Sequence, residues 1–136
     1  MRKTVFLVAA VCSGLSASAQ ALDVNSISPE SLDLIGSNCQ FGVQRDTLLV
    51  SDWDRKFWMK INGKVLSFQS EKSDAEVEKQ LKNKRWRETL KADGITLQLA
   101  LVETARGDDS AAFRGFIDVQ QGGVKIHILI AGGCGA

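Results

Sequence analysis

The stretch at residues 56–69, K-F-W-M-K-I-N-G-K-V-L-S-F-Q, decides the fold, because two strand-like runs flank the dipeptide Asn62-Gly63. Asn-Gly is the strongest two-residue signal for a β-hairpin, since both residues accept the positive φ angles of a type I′ turn. We therefore predict that Lys56–Ile61 and Lys64–Gln69 are paired antiparallel strands. The hairpin also determines which side chains share a face of the sheet.

Alternation along the first arm of the hairpin sorts its aromatic residues between two faces. Phe57, Met59 and Ile61 share one face, which is apolar throughout and which we predict to be the core. Trp58 falls on the opposite face with two lysines. It is expected either to lie on the outer surface or to be covered by the segment 73–83.

The same period-two alternation recurs along most of the chain, with glycine-containing turns at Asp93-Gly94 and at 121–123. We predict about eight short strands, at 40–44, 47–52, 56–61, 64–69, 85–91, 95–101, 111–119 and 124–131. No strand–helix–strand rhythm calls for a parallel sheet. The sequence therefore predicts a mainly all-β domain, a single antiparallel barrel or a small sandwich.

Two segments have the features of short helices. Ser28 followed by Pro29 is typical of an N-cap and a first helical position, so a short helix or turn is expected there. The segment 73–83 opens with the capping-box pattern S-D-A-E, and Val77 and Leu81 have helical spacing. Its apolar stripe is thin, so the pattern is consistent with either a short surface helix or a charged connection.

The first 21 residues have the features of a secretory signal peptide. A basic start is followed by an apolar run at 5–11, too short to span a bilayer, and by an A-x-A cleavage pattern ending at Ala21, with a competing site at Ala19. Cleavage after Ala21 leaves 115 residues, enough for one domain. We predict a signal peptide at 1–21, a single secreted β domain at 22–136, and a periplasmic or secreted location.

The charge of the mature chain argues against some classes of partner. Without Arg2 and Lys3, 15 basic residues face 16 acidic residues, so no electrostatic attraction to nucleic acid or to anionic lipid is expected. No further apolar run is long enough to span a membrane, so we expect no stable membrane insertion. We predict a monomer whose partner is another protein of the cell envelope.

Two cysteines, Cys39 and Cys134, remain after cleavage. An even pair in an oxidising compartment is most simply a disulfide, and we predict that these two residues form one. Metal ligation or a catalytic thiol would be the alternatives, but the chain has no pair of C-x-x-C motifs and a single histidine. We accordingly predict no metal site and no cofactor.

The motifs of common enzymes are missing from the sequence. There is no G-x-S-x-G elbow, no H-E-x-x-H and no glycine-rich phosphate loop, and the chain has no tyrosine. His127 lies in an alternating run and is expected to be an outward or hydrogen-bonded strand histidine rather than a base. The aspartate pairs Asp52/Asp54 and Asp108/Asp109 are typical of turns. We therefore expect a protein that is not an enzyme.

The remaining aromatic residues offer one candidate contact site. The turn Asp52-Trp53-Asp54-Arg55 combines the residue types that dominate protein interfaces, so these four residues are the candidate protein-binding residues. Trp53 has two interpretations, a cap that folds back over the end of the barrel or a rim residue that anchors a partner. Trp86, which lies between two arginines, is predicted to occupy a solvated, charged face.

The export signal, Cys39 with Cys134, and the hairpins at Asn62-Gly63 and 121–123 together resemble the plan of the small periplasmic lysozyme inhibitors of bacteria. The resemblance implies an exported antiparallel barrel with a disulfide between early and late segments. The membrane-bound type of these inhibitors carries an S-G-x-x-Y loop, whereas this chain has no tyrosine, so no inhibitory residue is assigned from the resemblance.

The functional expectation is a non-enzymatic exported binding protein. Its most concrete form is an inhibitor or immunity-type protector against a cell-wall hydrolase or toxin. A structural or assembly subunit of a cell-envelope complex is the alternative, and a small hydrolase is the third possibility.

Overall fold

The computed structural model describes residues 21–135, so the predicted signal peptide lies outside the described residues except for its last residue. Nine strands and one α-helix follow one another: β1 Val24–Asn25, β2 Asn38–Val43, β3 Asp46–Ser51, β4 Lys56–Ile61, β5 Lys64–Gln69, α1 Asp74–Asn83, β6 Arg85–Ala92, β7 Ile95–Arg106, β8 Ser110–Gln121 and β9 Val124–Gly135. The eight predicted strands are all present, and β1 is the additional one.

All strand pairs are antiparallel and form one open, curled sheet, a half-barrel. The order across the sheet is β5-β4-β3-β2-β9-β8-β7-β6, and β1 pairs with the end of β4. The prediction of an all-β, antiparallel domain is confirmed, and the sheet is neither fully closed nor split into a sandwich. Its two edges, β5 and β6, lie near each other without pairing.

The β4–β5 hairpin has the predicted turn. Asn62 and Gly63 have φ angles of 52° and 79°, and Ile61 pairs with Lys64 across the turn. The side chain of Asn62 also accepts a hydrogen bond from the backbone N–H of Asp23 at 2.9 Å. The backbone N–H of Asn62 in turn donates to the carbonyl oxygen of Asp23 at 2.9 Å. The turn therefore also anchors the N-terminal segment beside β4.

The two faces of β4 are as the sequence predicts. Phe57, Met59 and Ile61 are buried in the core that fills the concave side of the sheet. Trp58 lies on the outer face, where the Nζ atom of Lys56 is 5.8 Å from the centroid of the indole ring. A cation over an aromatic face is a favourable arrangement, and the lysine covers part of this half-buried indole.

Glycines allow the sheet to curl. Gly132 on β9 pairs with Phe41 on one side and with Phe113 on the other, and the two phenyl rings approach to 6.2 Å between centroids. A Cβ atom on Gly132 would lie 2.0 Å from a carbonyl oxygen of β2. Gly42 and Gly115 have the same close approach to a neighbouring strand. These three glycines thus lie where the backbone of a neighbouring strand leaves no room for a side chain.

The ambiguous segment 73–83 contains the helix α1, with a complete capping box. The backbone N–H of Glu76 donates to the Ser73 hydroxyl, and the carboxylate of Glu76 accepts from the backbone N–H of Ser73. The hydrogen bonds that this carboxylate accepts from the backbone N–H and the hydroxyl of Ser73 lower the pKa of Glu76 below its ordinary value. The helix ends at Lys84, which has a φ of 57°. The earlier predicted helical turn is a single 3-10 turn at Pro29–Ser31.

The predicted disulfide between Cys39 and Cys134 is present. The two residues face each other directly on β2 and β9, and both are buried. Among the described residues, the β2–β9 ladder is the only one that joins the strands β1–β5 to the strands β6–β9. The bridge therefore crosses the junction between the two halves of the sheet.

Candidate functional site

A cleft with a volume of about 70 Å³ opens at the end of the sheet that holds the disulfide. Three parts of the fold line it: the turn after β3 with Trp53 and Asp54, the helix α1 with Val77, Gln80 and Leu81, and the strands β6, β7 and β8 with Trp86, Glu88, Glu103 and Phe113. Pockets for drug-sized ligands measure roughly 300–1,000 Å³. The cleft therefore accepts a group the size of one side chain rather than a whole cofactor.

The floor of the cleft is a cluster of aromatic rings. The ring of Trp86 lies 5.5 Å from that of Phe113, 5.8 Å from that of Phe57 and 5.9 Å from that of Phe41, measured between centroids. Most of these pairs meet edge to face, an arrangement that aromatic pairs prefer. Trp86 is therefore packed against three other rings at the floor of the cleft.

The prediction that Trp86 lies on a solvated, charged face is wrong, because its side chain is only 9% exposed. Alternation along β6 places Arg85 and Arg87 outside and Trp86, Glu88 and Leu90 inside. By alternation, the face that Trp86 occupies also carries Lys84, Glu88 and Leu90, so its polarity in the sequence is mixed. In the structure Glu88 is buried together with Trp86.

Glu88 was not identified from the sequence, yet it is 5% exposed and lines the cleft. Its Oε2 atom accepts a hydrogen bond from the indole N–H of Trp86 at 2.9 Å, and its Oε1 atom accepts one from the Ser70 hydroxyl at 2.7 Å. Both donors are neutral. Among the described residues, no basic side chain forms a salt bridge with this carboxylate.

The turn after β3 forms one wall of the cleft, and a carboxylate fixes its shape. The Oδ1 atom of Asp52 accepts hydrogen bonds from the backbone N–H groups of Asp54, Arg55 and Lys56 at 2.9–3.1 Å. Trp53 has a positive φ of 61°, is half-buried and packs against the core. The turn thus holds the indole in one place between the core and the cleft.

Arg55 connects this turn to the helix. Its guanidinium forms an ion pair with Asp74 in the first turn of α1, and this contact raises the pKa of the arginine. Of the four turn residues that the sequence identified, Trp53 and Asp54 line the cleft. Asp52 and Arg55 hold the turn in position instead.

The helix α1 forms the opposite wall and covers the edge strand β6. The side chain of Gln80 accepts hydrogen bonds from the backbone N–H of Arg87 and from the Lys72 ammonium, both at 2.6 Å. The Lys72 ammonium also donates to the carbonyl oxygen of Arg87. The side chains of Gln80 and Lys72 thus form hydrogen bonds with the backbone N–H and carbonyl groups of Arg87 on the edge strand. Val77 and Leu81 face the cleft, and Leu81 is 50% exposed at its mouth.

Glu103 lies at a second inward position beside the cleft. The alternation that starts at Ile95 continues to this residue, and its side chain is only 5% exposed. The carboxylate forms an ion pair with Arg106, whose pKa it raises. Extending the period-two pattern by one step would have identified Glu103 from the sequence.

The other sequence candidates lie away from the cleft. His127 is exposed on the outer face of β9, where its Nδ1 atom is hydrogen-bonded to Asp118 and its ring lies 4.8 Å from that of Phe116. The predicted outward orientation of this histidine is confirmed. Asp108 and Asp109 lie in the exposed turn between β7 and β8.

The described residues include neither a metal-binding group nor a membrane-spanning helix. No group of three or more His, Cys, Asp or Glu side chains in residues 21–135 is arranged to hold a metal ion. In the same part of the chain, no helix has the length and apolar character needed to cross a membrane.

No protein-family model, curated protein or solved structure matched the chain.

Proposed function

We propose that the protein is a non-enzymatic exported protein that binds another protein of the cell envelope, and that the cleft receives one side chain of this partner. One observation carries the proposal: the cleft is the size of a side chain and its floor is a fixed aromatic cluster. Sites of this kind, filled by a single anchor residue of the partner, supply most of the binding energy in many protein interfaces.

The rigidity of the cleft favours binding. Asp52 holds the turn that carries Trp53, Arg55 ties this turn to α1, and Gln80 ties α1 to β6. Because these elements are already ordered, little conformational entropy is lost when a partner docks. Trp53 and the half-exposed Leu81 supply apolar surface at the mouth, around the point where the partner side chain would enter.

The partner that we propose is a cell-wall hydrolase or toxin, so that the protein acts as an inhibitor or immunity-type protector. A signal peptide is predicted for the chain, and a disulfide closes its single small domain, as expected for a protein that works in the envelope. The sequence plan also resembles that of the periplasmic lysozyme inhibitors.

A peptidoglycan-clearing assay tests this proposal. Purified protein is added to a panel of muramidases, lytic transglycosylases and peptidoglycan amidases, and the rate of loss of turbidity is measured. We expect inhibition of at least one enzyme, weakened more than tenfold by Trp53→Ala and by Leu81→Asp. Trp58→Ala is the matched control, because this indole lies on the outer face of the sheet.

Two outcomes would count against the proposal. If Trp53→Ala and Trp58→Ala weaken inhibition equally, the contact with the enzyme does not lie at the cleft. If no enzyme of the panel is inhibited by the wild-type protein, a cell-wall hydrolase is not the partner. Melting temperatures of all variants are measured alongside, because a folding defect would also lower inhibition.

The alternative function, a structural or assembly subunit, is favoured by a different surface. Leu129 is 71% exposed on the outer face of β9, beside its register partner Phe116, and Val43 on β2 is 39% exposed. Apolar side chains gathered on an outer face often mark a protein contact. If the protein is such a subunit, Leu129→Lys should release it from a membrane complex while Trp53→Ala should not.

A further inference from the structure

We propose that the side chain bound in the cleft is basic, with its aliphatic stem against Trp53 and α1 and its charged group near Glu88. This inference rests on the proposed function, since it names the chemistry of the group that the cleft receives. It follows from the charge, the walls and the size of the cleft.

The charge is the first reason. Glu88 is buried at the cleft, and its two oxygens each accept one hydrogen bond, from the Trp86 indole and from the Ser70 hydroxyl. A carboxylate offers about four acceptor sites, so acceptor capacity remains on this group. The Arg55 guanidinium interacts with Glu88 electrostatically but forms its salt bridge with Asp74. A guanidinium or ammonium group entering the cleft would therefore be the first cation in direct contact with the buried Glu88 carboxylate.

The other charged residues of the cleft are consistent with a basic guest. Asp54 adds a second carboxylate at the mouth, and no salt bridge joins it to a described residue. The carboxylate of Glu103 is already engaged by Arg106. Two cations also line the cleft: Arg85 occupies an outward position of β6, and Lys84 is exposed at the end of α1. Neither of them forms a salt bridge with Glu88, and nor does Arg55, whose partner is Asp74.

The walls suit the stem of a lysine or arginine. Val77 and Leu81 on one side and the Trp53 indole on the other offer apolar contacts to methylene groups, as long basic side chains prefer. The rings of Trp53 and Trp86 add aromatic surfaces on which a cation is stabilised. A purely apolar side chain would leave the remaining acceptor sites of Glu88 without a partner, and an acidic one would bring two negative charges together.

Small-molecule probes test the proposal without the partner. The chain has three tryptophans, so the 15N-labelled protein gives three indole N–H signals in an NMR spectrum. The protein is titrated with n-butylguanidinium and separately with n-butylurea, a neutral compound of nearly the same shape. We expect saturable shifts of the Trp53 and Trp86 signals, with a Kd at least tenfold lower for butylguanidinium. The Trp58 signal should not move, since this indole lies on the outer face.

Two charge-neutralising variants assign the preference to a residue. In Glu88→Gln, the amide oxygen can still accept from Trp86 and the amide nitrogen can donate to Ser70, so both hydrogen bonds are retained. We expect this variant to bind the two compounds with equal affinity. Glu78→Gln on the exposed surface of α1 changes the net charge by the same amount and should keep the tenfold preference.

Each outcome either supports or overturns the inference. Equal affinity of the wild-type protein for both compounds would overturn the basic guest but leave the cleft as an apolar anchor site. Retained preference in Glu88→Gln would overturn the role of Glu88. If neither compound moves the Trp53 or Trp86 signals, the cleft receives no side chain and both proposals fall. A tenfold preference without inhibition of any hydrolase would instead reject only the proposed class of partner.

Discussion

Removing the disulfide should cost this fold a large part of its stability. Cys39 and Cys134 are 95 residues apart, so the bridge constrains most of the described residues, 21–135, in the unfolded state. In the chain-entropy model a loop of this length contributes about 4.7 kcal/mol to the free energy of unfolding. For a domain of about 115 residues this corresponds to a fall in Tm of roughly 20 °C.

The position of the bridge adds an effect in the native state. The β2–β9 ladder is the only one between the two halves of the sheet among the described residues, and the cysteines lie near its cleft end. Without the bridge, this junction is held by backbone hydrogen bonds and core packing alone. We expect the amide groups of β2 and β9 to exchange with solvent faster in the reduced protein, because local opening separates the halves there first.

Urea unfolding of three samples tests this prediction: the oxidised protein, the reduced protein, and the double variant Cys39→Ala/Cys134→Ala. Reduction keeps both sulfur atoms in the core, so the reduced sample isolates the effect of the covalent link. A loss below about 1 kcal/mol in the reduced sample would refute the loop-entropy reasoning, whose expected value is about 4.7 kcal/mol. A loss confined to the double variant would assign the effect to packing.

Further predictions concern single side chains. Met59→Ala should lower the free energy of unfolding by about 2–5 kcal/mol in chemical denaturation, because the side chain is fully buried. Gly132→Ala should also lower it, since the new Cβ would lie 2.0 Å from the Gln40 carbonyl oxygen. Ser73→Ala should lower it by about 1 kcal/mol through loss of the cap. Ser73 lowers the pKa of Glu76 in the folded protein. The ionised Glu76 side chain therefore stabilises α1 fully above its ordinary pKa of 4.5, and this stabilisation is lost as the pH falls through the lower pKa of the folded state. The rate of amide exchange in α1, corrected for the pH dependence of intrinsic exchange, should therefore increase in acid. A corrected rate that stays the same as the pH falls would contradict this prediction.

The parts of the fold that the sequence predicted correctly depend on local rules. The Asn62-Gly63 turn needs only the φ preferences of two adjacent residues, and the inward face of β4 needs only the alternation of neighbouring positions. The capping box of α1 is likewise formed within four residues. The sequence left α1 undecided because its apolar side consists mainly of Val77 and Leu81, and tertiary contacts with β6 decide that a helix forms.

The parts that the sequence missed depend on contacts between distant residues. Glu88 is buried because Ser70, 18 residues away, and Trp86 donate hydrogen bonds to it, and no pattern in β6 reveals these partners. Without that knowledge, a glutamate on the same face as Trp86 indicates a solvated surface, and the prediction for Trp86 failed for this reason. The cleft itself could not be predicted, because it forms where three separate segments of the chain meet.

The two interpretations of Trp53 from the sequence, a cap over the end of the barrel and a rim residue that anchors a partner, are compatible with each other. A bulky residue with a φ of 61° carries strain of roughly 1 kcal/mol or more, and Asp52 holds the turn that imposes this conformation. The strain brings the indole to the end of the sheet, where one part of it packs against the core and another part lines the cleft. Packing fixes the ring, and a fixed ring is what a partner side chain needs as a wall. The role of Trp53 as a cap is therefore the physical basis of its proposed role as an anchor.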